Sequence, residues 1–155
     1  MSQVTREQVS IALFNLLNSA YNFPTSSRRM KIWDDVALIN KPALFLDEEK
    51  ESHERTNHPT PAVRTMEYMV YIFTQADPSI GSDATNVPVT QLNNLFDLID
   101  PVEGGVLKPD DILQNRQTLG GLVYDCYIEG QIVKVPGDLD NQGVLIFPVK
   151  VIFNR

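Results

Sequence analysis

The run from Val63 to Gln75, VRTMEYMVYIFTQ, restricts the possible folds more than any other segment. In an extended chain, alternate residues share a face. Met66, Tyr68, Val70 and Ile72 therefore point one way, and Met69, Tyr71 and Phe73 the other. A strand with apolar residues on both faces must be covered on both sides, here at least over its second half, which makes it a central strand. Val144 to Phe153 is a further strand, with Leu145, Phe147, Val149, Val151 and Phe153 on one face. Its Pro148 lacks a backbone donor, so an edge position or a bulge is expected there. Leu122 to Val135 reads as one half-buried strand: Tyr124, Cys126, Ile128 and Ile132 alternate with Asp125, Glu129 and Gln131. Gly130 within it marks a bulge or a close packing site. Two shorter strands are expected at Arg28 to Trp33 and at Pro42 to Asp47.

Two segments have helical period. Between about Thr5 and Tyr21, Val9, Ala12, Leu13, Leu16, Leu17 and Ala20 form one stripe. Thr5 and Gln8 have the spacing of a capping box, in which each side chain satisfies a backbone N–H of the other. Ile11 and Phe14 lie off the stripe's centre, so the helix has either a broad buried face or a second contact surface for another subunit. Between about Pro88 and Ile99, Val89, Leu92, Leu95, Phe96 and Ile99 form the second stripe, and Asp100-Pro101 stops it. Ten prolines cut the rest of the chain into short elements. The expected order is α-β-β-β-α-β-β: an α+β domain with a mostly antiparallel, mixed sheet of about five strands and two flanking helices. Glu48 to Pro61 has no apolar residue in 14 positions, so it is expected as an exposed polar hairpin arm or mobile loop of a single domain spanning 1–155.

Composition narrows the class. A chain of 155 residues can bury roughly 70% of its unfolded surface without disulfide or metal staples. With 43% apolar and 21% charged residues it is not of disordered composition. The net charge of −7 argues against a general nucleic-acid binder. No apolar run is long enough for a membrane span. The N-terminal MSQVTREQVS has no basic region followed by an apolar one, so no signal peptide is expected. One cysteine provides no disulfide framework and fits a reducing compartment.

Chemical motifs are sparse. Asp138 to Gly143 begins like a calcium loop, but the twelfth position is Val149 where a bidentate glutamate is needed. His53 and His58 lack a third ligand at metal spacing. Cys126 faces inward and behaves as a small hydrophobe. The pairs Asp34-Asp35 and Asp110-Asp111 are adjacent, so in extended chain they point apart and make poor acid–base dyads. No phosphate-loop, dinucleotide or nucleophile-elbow motif is present. Catalytic residues, cofactors and metals are therefore not expected. Arg28, Arg29 and Lys31 form the only basic cluster; alternation would put Arg29 and Lys31 on one face and Arg28 on the other.

The run SSRRMKIWDDV, then KPALFL, MEYMVYIF, RQTLGGLVYDCYIEGQI and GVLIFPVKVIF, resembles the tail terminator, or tail completion, class of double-stranded-DNA bacteriophages. The resemblance covers nearly the whole chain and is most specific over Gln117 to Gly130. It implies a structural protein of the virion tail or neck, made in the host cytoplasm. Such proteins form a ring, commonly a hexamer, on the head-proximal end of the tail tube. The ring stops tube polymerisation and offers a surface to the head connector, while DNA passes through the lumen without specific binding. It also implies an α/β fold and no active-site residues. A head–tail adaptor, a tail tube subunit, or a small enzyme or metal-binding module are the alternative roles. A ring of heterologous contacts needs two different patches per subunit. Arg28, Arg29, Lys31 and Trp33 are the candidate subunit interface, since tryptophan and arginine are enriched among energetically dominant contacts. For Trp33, capping of the core is the other expectation.

Overall fold

The computed structural model describes residues 3–31, 35–37, 41–55, 57, 62–75, 89–100, 118–135 and 142–154. The chain runs α1 (Arg6–Asn18), β1 (Thr25–Ser27), β2 (Ala43–Glu54), β3 (Val63–Gln75), α2 (Val89–Ile99), β4 (Asp125–Ile128), β5 (Val133–Val135) and β6 (Gln142–Asn154). The fold is α+β with one mixed sheet in the order β1-β2-β3-β6-β4, and β5 also pairs with β6. β1 is parallel to β2, and every other pairing is antiparallel.

β3 is central, between β2 and β6. Its Met66, Tyr68, Val70 and Ile72 are buried together with Leu145, Phe147, Val149, Val151 and Phe153 of β6 and Leu44 and Leu46 of β2. Both helices cover this face. α1 buries Val9, Leu13 and Leu17 there; α2 buries Leu92, Leu95, Phe96 and Ile99. Phe96 meets Phe147 edge-on, with ring centroids 5.1 Å apart. A second, smaller core on the opposite face joins Val36, Ala43, Phe45 and Phe73. This is the two-sided burial that the alternation of β3 requires.

α1 starts at the capping box, with the Gln8 N–H donating to Thr5 Oγ1 at 3.2 Å and the Thr5 N–H to Gln8 Oε1 at 2.8 Å. The helix ends at Asn18 with Ser19 as its cap, a turn short of Tyr21.

Three expectations need correction. No strand spans Arg28 to Trp33: the strand is Thr25–Ser27, and Arg28 to Lys31 form an exposed bend and coil beyond it. The alternation there is real, but parallel pairing with Ala43–Phe45 takes the three residues before it. The Leu122–Val135 strand is two strands, which brings the sheet to six. Gly130, at φ +133°, breaks it. A Cβ on Gly130 would lie 2.7 Å from Cγ of Pro148, so the break is also a close backbone approach. β6 is not an edge strand. Its pairing with β4 ends at Val149 and that with β5 starts at Ile146, so Pro148 faces the gap between them and has a local edge on that flank.

The polar stretch from Glu48 onward continues β2 to Glu54, paired with Val63 to Tyr68 of β3 after a register shift between Glu48 and Lys50. Its second part contains Thr56 and residues 58–61, outside the described residues.

The TLGG segment, most specific in the family resemblance, is a tight turn. Leu119, Gly120 and Gly121 all have positive φ, at 50°, 70° and 91°. The N–H groups of Gly121 and Val123 return to the Thr118 carbonyl at 3.0 and 3.1 Å. The turn drives Leu119 and Val123 into the main core.

Phe147→Ala is expected to lower unfolding stability by about 3–5 kcal/mol, whereas Ile11→Ala, on the exposed side of α1, changes it by under about 0.5 kcal/mol. Urea titration of both variants checks this. Gly120→Ala and Gly121→Ala, with open space at the Cβ position, should each cost only the left-handed backbone penalty of about 1–2 kcal/mol. Gly130→Ala should cost more than either in the same titration, because the Pro148 contact adds to it.

Candidate functional site

The expected interface residues are only partly brought together. Arg28, Arg29 and Lys31 are contiguous and exposed, directly after β1, with Met30 also exposed among them. Arg28 is not free. Its guanidinium donates through both terminal nitrogens to the two carboxylate oxygens of Glu7 on α1. That bond raises the arginine pKa and lowers that of Glu7. Arg28 thus ties the bend to the first turn of α1. Arg29 and Lys31 have no ion-pair partner among the described residues. Trp33 lies outside the described residues, as do Asp34, His58, Asp110, Asp111 and Asp138 to Asn141.

A second ion cluster joins the other side of α1 to β2. Arg6 donates to Glu51 through Nε at 2.6 Å and Nη2 at 2.8 Å, a two-pronged bond that fits the planar guanidinium. His53 Nε2 is within hydrogen-bond distance of the same carboxylate. Arg6 holds the Glu51 carboxyl down to about 2, against partial burial, with His53 adding in the same direction. Among the described residues no group of three or more His, Cys, Asp or Glu is placed to hold a metal ion. On the opposite sheet face, Lys50 and Lys150 flank Glu67 at 3.1 and 3.9 Å, and Lys150 reaches Glu129 at 3.4 Å.

Sequence reasoning missed one feature. Ser10 is fully buried and donates to Glu48 Oε2 at 3.0 Å. Its oxygen is 2.8 Å from the Tyr68 hydroxyl, which must then be the donor. The sequence signal was a serine three and seven residues before Leu13 and Leu17, on a buried helical stripe. Superficially this is a hydroxyl beside a carboxylate base. Yet Ser10 has no exposed surface, so no substrate can approach its oxygen along the attack line that a nucleophile needs. Burial also raises the Tyr68 phenol well above its ordinary value. The trio therefore satisfies polar groups between α1, β2 and β3. Cys126 is likewise buried, and burial pushes its thiol up, away from the reactive thiolate.

A cavity of about 410 Å³ opens between the start of β2, the end of β3 and α2, lined by Tyr21, Lys41, Thr74, Gln91, Asn94 and Leu98 among others. Among the described residues its lining contains no carboxylate, histidine or cysteine; Tyr21 and Lys41 are its ionisable side chains.

The outer margins of the sheet differ. At one, β1 leads into the basic bend. At the other lie β4 and β5, with Asp125, Glu129 and the exposed Ile132, Val133 and Val135. Lys134 is drawn away from that margin: its Nζ donates to Asn93 Oδ1 on α2 at 2.8 Å and lies 6.0 Å from the centre of the Phe96 ring.

No protein-family model matches the chain, and no curated protein matches it. A solved structure of the virion of a native gene transfer agent particle contains a similar chain: 7% identity, a TM-score of 0.44, and 92% of each chain covered. An overlap this loose supports no statement about role.

The Arg6–Glu51 pair has a definite pH dependence. A carboxylate held below its ordinary 4.5 adds stability above that value and loses it as pH falls through the lowered one. Wild type is expected to exceed Glu51→Gln in stability by a constant amount above about pH 5, with the difference gone near pH 2. Thermal unfolding of both proteins across that range checks the window.

Proposed function

We propose that the chain is a structural protein of a phage-type virion that acts as a tail terminator: a ring on the head-proximal end of the tail tube that stops tube growth and faces the head connector. The observation that carries this reading is the resemblance of the Ser26–Val36, Arg116–Ile132 and Gly143–Phe153 stretches to that class. The fold is compatible with it: a mixed sheet covered by two helices. The distribution of chemistry supports it too. The buried Ser10, Glu48 and Tyr68 groups are used in holding elements together. Two unlike margins on one sheet are what a heterologous ring requires. The net charge of −7 favours a passage to which DNA does not adhere, since like charges repel.

The test is deletion of the gene from a genome that produces particles, followed by electron microscopy of the lysate. The terminator reading predicts tails of uncontrolled length, unattached, beside filled heads. Tails of normal length beside separate heads would instead indicate an adaptor. Complete loss of tails would indicate a tube subunit, and normal particles would overturn any role in the virion neck.

A further inference from the structure

We propose that the β4–β5 margin of one copy binds the Arg28–Lys31 bend and β1 margin of a second copy, joining copies head to tail. This rests on the ring reading above and names the surfaces that build it.

Each margin is incomplete by itself. Among the described residues, no strand pairs the outer side of β1, β4 or β5. An outer strand with unpaired N–H and C=O groups is a template for another chain unless it is blunted. The usual blunting device, a lysine, is present on β5 but disengaged. Lys134 pairs opposite Leu145, whose side chain lies in the core under the helices, and its ammonium is held by Asn93 on that same face. Val133 and Val135 consequently fall on the other face, 44% and 48% exposed, and Ile132 beside them is 38% exposed. This is a contiguous apolar strip along an open edge.

The occupant is identified by complementarity. The far margin of the same sheet carries Met30, 37% exposed, between Arg29 and Lys31, neither of which has an ion-pair partner among the described residues. The β4 side carries Asp125 and Glu129, whose charges are opposite; Glu129 also meets Lys150 at 3.4 Å within its own copy, and would share its carboxylate with that lysine. Met30 against the valine strip and the two cations against the two carboxylates form an apolar centre with a charged rim. Because the two surfaces lie at opposite ends of one sheet, the contact is heterologous. Each added copy leaves one of each surface open, so the assembly propagates until it closes as a ring.

The experiment mixes two single-cysteine variants, Met30→Cys and Val133→Cys, under mild oxidation. Cys126 stays in place, since its burial keeps it unreactive. The proposal predicts a mixed disulfide dimer only when both variants are present, and no linkage of either alone. A second measurement is sedimentation of the paired charge reversal Arg29→Glu with Lys31→Glu. It should weaken self-association by about tenfold or more, and Asp125→Lys with Glu129→Lys on the partner copies should restore it. Self-linking of one variant, or no linkage at the highest concentration reached together with indifference to charge reversal, overturns the proposal. Closed rings that form with the cysteines unlinked refute these surfaces and leave the ring reading standing. Linkage in a protein whose deletion gives normal particles refutes the virion reading and leaves the head-to-tail contact standing.

Discussion

The antiparallel ladder between β3 and β6, from Arg64 to Gln75 on one strand, is the interaction on which the other elements depend. β3 carries β2 on its free side, and β2 carries β1; β6 carries β4 and β5. The alternate residues of β3 and β6 form the floor on which both helices lie. Nine side chains of that ladder, Met66, Tyr68, Val70 and Ile72 with Leu145, Phe147, Val149, Val151 and Phe153, belong to one buried cluster. Burial of apolar area at roughly 25 cal/mol per Å² makes this cluster the main driving force, and the ladder's hydrogen bonds hold its register. A one-residue slip of β3 would exchange its two faces and place Glu67 under the helices.

How far this was legible in the sequence depends on how local the cause is. The faces of β3 and β6 and the Thr5–Gln8 cap follow from side-chain spacing within a few residues, and they stand in the structure as expected. The strand near Arg28 was misplaced because a three-residue strand owes its existence to its partner, Ala43–Phe45, and not to its own pattern. The split between β4 and β5 turns on Gly130, whose role depends on Pro148 some eighteen residues later. The outer half of β2 has a loop's composition, yet it is strand. Its charges are matched across the fold, Glu51 by Arg6 and Lys50 by Glu67, and that pairing is invisible in a linear pattern. For the same reason Arg28 was legible as a surface cation but not as the partner of Glu7.

The charged and polar side chains sort into two kinds. Ser10, Glu48 and Tyr68, with Arg6, Glu51 and Arg28, secure α1 to the sheet and its neighbouring bend. The exposed Arg6–Glu51 and Arg28–Glu7 pairs contribute little stability each, so their effect is orientation more than energy. Arg29 and Lys31 at one margin and the valine strip at the other contribute nothing evident to the fold of a single copy. Side chains placed this way make sense for a protein that works by its contacts with copies of itself.

The most direct test of that central claim is native mass spectrometry of the purified chain with negative-stain imaging, across a wide concentration range. The account predicts a closed ring one layer thick, with a mass that is a whole multiple of the single chain. Continuous stacked tubes, or a monomer at every concentration even with tail tube ends supplied, would contradict it.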